Sequence, residues 1–118
     1  MSDHLLAYCT CPDGDSARAI ANALVDEGLA ACVGILPGVQ SVYRWQGRRE
    51  SAREHLLTIK TRRDAYAALE RAIVALHPYE LPEIIAVPIT QGLAGYLAWI
   101  DDNVMGGHAR RTNNENRK

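Results

Sequence analysis

A rigid connector between an apolar helix and an apolar strand most constrains the fold of this chain. Residues 77–83 read HPYELPE, and the apolar run IIAVPI follows directly at residues 84–89. Each proline fixes its own φ angle and pushes the preceding residue towards extended geometry, so the helix before Pro78 must end at His77. Pro88 cannot donate to a β-ladder, which predicts that this strand ends there or lies at a sheet edge. The connector therefore holds polar side chains rigidly, as either a binding site or a subunit interface requires.

The first part of the chain predicts a strand followed by a helix. Residues 5–10 are short, apolar and bounded by a turn sequence, which is typical of a central strand. Apolar residues then recur at helical spacing, with Asp13 or Asp15 as the N-cap. Gly28 stands just beyond the predicted end of this helix, where glycine is common.

The middle of the chain predicts a long β-hairpin. Residues 31–45 form one strand, which Pro37 and Gly38 interrupt as a bend or bulge. Residues 46–47, Gln-Gly, are a turn signal, and residues 50–61 form the second strand. The outer end of this hairpin is rich in arginine and too polar to be buried within one small domain. We expect it to meet another chain.

Two further helices are predicted. Thr61 and Asp64 resemble the start signal called a capping box. The apolar face of the helix that follows is formed by Tyr66, Leu69, Ile73 and Leu76. After the strand of residues 83–89, a last helix follows Gly92, and Trp99 points away from its apolar face. That face is formed by Leu93, Tyr96, Leu97 and Ile100.

The order β-α-β-β-α-β plus a closing helix predicts an α+β, ferredoxin-like sandwich with an extended β2-β3 hairpin. Residues 1–105 make one domain, and residues 106–118 are a polar, asparagine-rich tail that we expect to be disordered. Two helices would cover one face of a four-stranded antiparallel sheet. Because the strands are apolar on both sides and too little chain remains to cover the other face, the sequence predicts an oligomer.

Composition excludes several classes of function. A net charge of −1 argues against a general nucleic-acid binder, whose affinity rests on clustered basic residues. No apolar stretch is long enough to span a membrane, and the run at residues 5–8 is too short for a secretory signal. The three cysteines are an odd number, which favours reduced thiols in a cytoplasmic protein.

The first strand carries a candidate metal site. Cys9 and Cys11 lie two residues apart, so both face the same side if the strand holds through Cys11. Soft thiolates suit Cu(I), and the imidazole of His77 is a third donor. The alternatives are that Cys9 is a small buried apolar residue and that His77 interacts with the end of its helix. Cys32 is interpreted as a core residue.

Three motifs together resemble the CutA divalent-cation-tolerance proteins. They are ACVGILPG at residues 31–38, SVYRWQG at residues 41–47 and HPYELPEII at residues 77–85. The likeness covers roughly residues 5–104, and the order of several long motifs makes it specific. The tail lies outside it.

The resemblance implies a cytoplasmic homotrimer of ferredoxin-like subunits that is linked to copper tolerance and binds copper. Its metal site is carried by Cys9 and His77. Some members have a second histidine where this chain has Leu76. The trimer architecture is shared with the PII signalling proteins, which hold small ligands between subunits. The resemblance gathers five residues around an intersubunit cleft: Trp45, Glu54, Lys60, Tyr79 and Glu83. This group is either a site for a small ligand or a subunit interface whose ion pair sets the register of the trimer, and the interface is favoured.

The leading hypothesis is a non-enzymatic, trimeric, CutA-like protein that binds copper, with other divalent cations as alternatives. The second is a PII-like module that binds a metabolite at the subunit clefts, and the third is a purely structural trimer. No nucleic-acid or membrane partner is expected. An enzyme is disfavoured because no Ser-His-Asp group or phosphate loop stands out, and a Cys–His pair lacks an orienting third residue. An acylphosphatase would require an arginine and an asparagine converging on an anion-binding loop, which the sequence does not offer.

Overall fold

The computed structural model describes residues 3–105, so the predicted tail at residues 106–118 lies outside the described residues. The described part is a mixed α+β fold with one four-stranded antiparallel sheet and three α-helices. The elements in chain order are β1 (His4–Cys11), α1 (Gly14–Asp26), β2 (Cys32–Trp45), β3 (Arg48–Arg62), a 3-10 turn (Arg63–Ala65), α2 (Tyr66–Leu76), β4 (Ile84–Pro88) and α3 (Ala94–Asn103).

The strands lie in the order β2-β3-β1-β4, and every neighbouring pair is antiparallel. Strand β1 is therefore central, with β3 on one side and β4 on the other. The predicted succession of strands and helices is confirmed. Strand β4 is an edge strand that ends at Pro88, as the missing N–H of proline predicts.

Helices α1 and α2 pack on one face of the sheet, because alternate strand residues are apolar there. Leu57 and Ile59 of β3 are fully buried on this face. The other members of the main core come from both helices and from β1: Ala7, Cys9, Cys11, Ala17, Ile20, Leu24, Ala30, Leu69 and Ile73. A second, smaller cluster joins α3 to the chain through Ile100 and Val104.

The irregularity in β2 determines which residues share a face near the hairpin tip. Leu36 pairs with Leu56, whereas Val39 pairs with Glu54, so β2 contains one extra residue between these pairs. Gly38 lies in this bulge with φ of 79°, a left-handed conformation that glycine adopts without strain. Because side chains alternate along a strand, the extra residue turns the whole β2 segment beyond it to the opposite face.

The ends of the helices follow the predicted signals. Asp13 is the N-cap of α1, and its carboxylate accepts a hydrogen bond from the backbone N–H of Ser16 at 2.8 Å. Helix α2 ends before His77, whose backbone is extended with ψ of 137°. The stop before Pro78 is therefore confirmed.

The capping box predicted at Thr61 is wrong. Thr61 belongs to β3 and is fully buried, and its hydroxyl donates to the carbonyl oxygen of Leu29 at 2.7 Å. The strand continues one residue beyond it to Arg62, which pairs with Asp101 and Asp64. The local sequence cannot distinguish a threonine that caps a helix from a buried threonine that donates to a distant carbonyl, as Thr61 does.

The predicted apolar faces of α2 and α3 are only partly buried. Leu76 and Tyr96 are exposed, and Leu93 is 79% exposed. Tyr96 instead stacks on Trp99, with ring centroids 5.5 Å apart. Trp99 is itself exposed, in keeping with its predicted direction away from the core.

The sheet face opposite α1 and α2 carries exposed apolar side chains. Ile85 and Val87 of β4 are 53% and 43% exposed, because they alternate with the inward-facing Ile84 and Ala86. Tyr43 and Trp45 of the hairpin are also about half exposed. None of the described helices is long and apolar enough to cross a membrane.

Candidate metal centre and neighbouring cavity

The C-terminal end of β1 places two thiols on the helix-covered face of the sheet. Cys9 and Cys11 are both fully buried and belong to the main core. Thr10 lies between them and points to the opposite face, as strand alternation requires. The three cysteines are all free thiols.

The connector after α2 brings an imidazole to these thiols. The donor atoms of Cys9, Cys11 and His77 all lie within 4.8 Å of one another, and all three residues are buried. Within residues 3–105, this is the group of cysteine, histidine and acidic residues close enough to hold a metal ion. The structure therefore brings together the three donors that the sequence singled out.

Both ring nitrogens of His77 have backbone partners. Nε2 lies 2.7 Å from the carbonyl oxygen of Thr10, which can only accept, so Nε2 carries the proton. Nδ1 accepts from the backbone N–H of Tyr79 at 3.0 Å. These bonds fix the tautomer and tie the connector to β1. A metal ion can reach an imidazole lone pair of His77 only after one of these two bonds opens.

The two thiols differ in acidity because they interact with each other. The hydrogen bond with Cys11 and burial both raise the pKa of the Cys9 thiol. The interaction with Cys9 lowers the pKa of Cys11. A metal ion that binds both residues as thiolates must displace a proton from each thiol.

A cavity of about 640 Å³ lies on the other side of β1, between the connector and the hairpin. Four of the five residues predicted for a cleft line it: Trp45, Glu54, Tyr79 and Glu83. The bulge in β2 explains this grouping, since it turns Ser41, Tyr43 and Trp45 to the face that carries Glu54. The wall of the cavity is therefore acidic and aromatic.

Lys60 is not among the residues that line the cavity. It lies towards the other end of β3, opposite Cys32, and its ammonium is 4.0 Å from the Cys32 sulfur. Cys32 is half-buried there and does not belong to the main core, so its assignment as a core residue is wrong.

Glu54 is a buried carboxylate held by two hydroxyl groups. Tyr79 donates to one oxygen at 2.7 Å, and Ser41 donates to the other at 2.6 Å. The structure records no ion pair for Glu54 within residues 3–105. Burial and the bond to Glu54 raise the pKa of the Tyr79 hydroxyl, so it is a neutral donor at pH 7.

His55 is a candidate residue that the sequence did not single out. It lies on β3 directly opposite Cys11 and is half-buried rather than exposed. Its Nδ1 atom is buried and has no hydrogen-bond partner among the described residues. Only the register between β1 and β3 reveals this pairing, and the sequence contains no local signal for that register.

The comparisons with known proteins all identify the same family. The family model described as CutA1 divalent ion tolerance protein matches residues 5–103. A relative from Thermus thermophilus, the divalent-cation tolerance protein CutA, is 50% identical over 94 residues, which cover 80% of this chain and 91% of that protein. The chloroplastic protein CutA of Arabidopsis thaliana is 43% identical over 99 residues, 84% of this chain. The chain spans about half of the plant protein's length, 54%.

Solved structures agree with the sequence comparisons. The crystal structure of CutA from Xylella fastidiosa is similar to this chain with a TM-score of 0.85 and 50% sequence identity. The similarity covers 87% of this chain and 99% of that one.

Proposed function

Since this chain belongs to the CutA1 divalent ion tolerance family, we propose that it contributes to metal tolerance by binding copper without catalysis. The observation that carries the proposal is the cluster of Cys9, Cys11 and His77 within 4.8 Å. Two thiolates and an imidazole are soft and borderline donors, which suit Cu(I). The name of the Thermus thermophilus relative refers to divalent cations, so Zn²⁺ and Cu²⁺ are the competing ions to compare.

The surroundings of the cluster argue against a catalytic cysteine. A nucleophilic cysteine requires a base that can accept its proton. The Nε2–H of His77 is donated to the carbonyl of Thr10, and its Nδ1 already accepts from Tyr79. The histidine nearest to both thiols is therefore occupied by structural bonds.

A competition titration tests the metal proposal. The reduced protein is titrated with Cu(I) against the chromophoric chelator bicinchoninate under anaerobic conditions. Replacing Cys9 or Cys11 by alanine should weaken binding by more than about tenfold, because each removes a thiolate ligand. Cys32→Ala is the matched control, since Cys32 lies outside the cluster. Equal binding by all three variants would refute the proposal.

We also propose that the chain is a ferredoxin-like subunit that assembles as a homotrimer. The support is the strand order β2-β3-β1-β4 and the apolar sheet face that α1 and α2 leave uncovered. Large exposed apolar patches mark interaction sites. Ile85→Glu places a charge on that face, whereas Val74→Glu places one on the exposed side of α2 as a control. Native mass spectrometry should show trimers for Val74→Glu and smaller species for Ile85→Glu; a trimer that survives Ile85→Glu would contradict assembly through this face.

A cytoplasmic location is part of the same proposal. The three thiols are free, and reduced thiols are typical of the cytoplasm. Fractionation of cells that produce the full chain tests the location directly, and recovery with an exported marker would overturn it.

The cavity favours a second candidate function, a PII-like module that binds a small metabolite at a cleft between subunits. Three carboxylates and three aromatic rings line it, and no lysine or arginine among residues 3–105 does. A ligand that fits this wall carries a positive charge. Glu54→Gln should weaken such binding and leave Cu(I) affinity unchanged, whereas a trimer that dissociates in Glu54→Gln would assign Glu54 to the subunit interface.

A further inference from the structure

The cavity between the hairpin and the connector contains a buried negative charge without a counter-ion. Glu54 lines this cavity and is only 6% exposed. Its recorded partners are the hydroxyl groups of Tyr79 and Ser41, which are neutral donors. None of the ion pairs recorded among residues 3–105 involves Glu54. Because an unpaired buried charge is costly, the cavity favours a ligand that supplies a positive charge.

The carboxylate of Glu54 has acceptor positions left for such a ligand. A carboxylate offers about four lone-pair positions. Each oxygen of Glu54 accepts one hydroxyl group, from Tyr79 at 2.7 Å and from Ser41 at 2.6 Å. An alkylammonium group carries three N–H donors and no acceptor, so it matches the positions that the two hydroxyl groups leave unused.

Two further carboxylates lie at the exposed rim of the same cavity. Glu80 and Glu83 line it, and both are exposed. Within residues 3–105, these two and Glu54 do not form a group whose donor atoms all lie within 4.8 Å of one another. A Mg²⁺ or Ca²⁺ ion takes its oxygen ligands at about 2.0–2.6 Å, so one ion cannot join all three carboxylates. The negative charges are instead spread from the buried end of the cavity to its rim, which suits positive charges spaced along one chain.

Apolar surface lies between these charges. The rings of Tyr43, Trp45 and Tyr79 and the side chain of Leu81 line the cavity. Aromatic rings attract ammonium groups to their faces, and they also give methylene groups an apolar surface to pack on. The volume of about 640 Å³ is within the range of small-molecule sites, about 300–1,000 Å³.

We infer that the cavity binds an aliphatic polyamine, with one ammonium group on Glu54 and a second at the rim on Glu80 and Glu83. The inference rests on the second proposed function, the metabolite-binding cleft, and assigns it a ligand class. Aliphatic amines are protonated at pH 7, because their pKa resembles that of lysine, about 10.4. The methylene chain lies along the aromatic wall. A ligand with a single charge leaves either the buried or the rim carboxylates unpaired.

The fluorescence of Trp45 provides the readout, since Trp45 lines the cavity and Trp99 does not. Trp99→Phe leaves Trp45 as the one tryptophan of the chain. This variant is titrated at pH 7 and fixed ionic strength with spermidine, n-butylamine and Mg²⁺. Spermidine should bind at least about tenfold more tightly than n-butylamine, because it adds a second charged hydrogen-bonding contact. Mg²⁺ at the same concentration of charge should not displace it.

Substitutions in the same background separate the buried contact from the rim contact. Glu54→Gln should weaken spermidine binding by about tenfold, because it removes the buried charge. Glu80→Gln combined with Glu83→Gln should bring the affinities for spermidine and n-butylamine close together. The rim variant changes only exposed residues, so it tests the inference even if Glu54→Gln does not fold. Glu70→Gln is the control, since Glu70 is exposed on α2 and does not line the cavity; it should bind spermidine normally.

The outcomes distinguish the ligand class from the cleft itself. Equal affinities for spermidine and n-butylamine, both lost in Glu54→Gln, would overturn the polyamine and leave a cleft for a singly charged metabolite. Displacement of spermidine by Mg²⁺ would assign the cavity to a divalent cation and overturn the inference. Weakening by Glu70→Gln as large as that by the rim variant would show general attraction to an acidic surface, which also overturns it. If no amine changes the fluorescence of Trp45, the inference and the metabolite-binding cleft both fail, while the copper proposal stands.

Discussion

Removing the hydroxyl of Tyr79 should destabilise the fold, because that hydroxyl is one of two donors to a buried carboxylate. Tyr79 donates to Glu54 at 2.7 Å, and Glu54 is only 6% exposed. A hydrogen bond to a charged group contributes about 1.5–3 kcal/mol. Tyr79 itself is only half-buried, so we expect Tyr79→Phe to lower the free energy of unfolding by about 1.5 kcal/mol.

The assay is urea denaturation at pH 7 and at one fixed protein concentration, since assembly links stability to concentration. Tyr43→Phe is the matched control, because Tyr43 lines the same cavity and its hydroxyl has no hydrogen bond recorded within residues 3–105. That variant should unfold within about 0.5 kcal/mol of the unsubstituted protein. Equal stability of Tyr79→Phe and Tyr43→Phe would refute the assigned role of the Tyr79–Glu54 bond.

The pH dependence gives a second check on the same bond. Burial, followed by the bond to Glu54, raises the pKa of Tyr79 above its ordinary value of 10.0. Above pH 10, the unfolded chain therefore releases a proton that the folded chain retains, and stability falls as the pH rises. The advantage of the unsubstituted protein over Tyr79→Phe should be full below pH 10 and shrink above it. A difference that stays constant or grows up to pH 11 would contradict the raised pKa.

Three further predictions follow from single contacts. Thr61→Val should lower the free energy of unfolding by about 1–3 kcal/mol in urea denaturation, because it leaves the buried carbonyl of Leu29 without its donor; unchanged stability would reject that bond. Gly38→Ala should lower the free energy of unfolding by about 1 kcal/mol in the same assay, because alanine is strained at a φ of 79°. A steric clash adds nothing, since the atom nearest to the new Cβ is 3.9 Å away. A gain in stability would contradict the left-handed bulge. Cu(I) affinity should rise by about tenfold per pH unit for each proton displaced from the thiols, because hydrogen bonding and burial raise the pKa of Cys9. Affinity that is independent of pH between 6 and 8 would exclude thiolate ligation.

The features that local chemistry dictates could be predicted from the sequence. Pro78 ends α2 whatever lies around it, and Gly38 accepts a left-handed conformation that few other residues tolerate. The grouping of Cys9 with Cys11 follows from strand alternation alone. These are properties of neighbouring residues, so the strand and helix order emerged correctly.

The features that depend on distant partners could not be predicted. His55 lies opposite Cys11 only because β1 and β3 pair in one particular register, and no short motif specifies that register. Thr61 carries a helix-start signal but lies in a strand, where Leu29 supplies the acceptor for its hydroxyl. Lys60 shares a strand with Glu54 yet lies near Cys32, because residues six apart in a strand are roughly 20 Å apart.

The exposed apolar residues illustrate the same limit. Leu93 and Tyr96 have the spacing of a buried helix face, but the described chain leaves both exposed. Periodicity identifies which side of a helix is apolar, whereas the surface that covers it is set by tertiary or subunit contacts. The proposed trimer supplies such a surface.

The most direct test of the account is native mass spectrometry of the reduced full chain after anaerobic addition of Cu(I). The account predicts one copper per chain, and predicts that Cys9→Ala combined with Cys11→Ala loses it while Cys32→Ala retains it. No specific uptake, or uptake that the double substitution leaves intact, would contradict the thiol site at the end of β1.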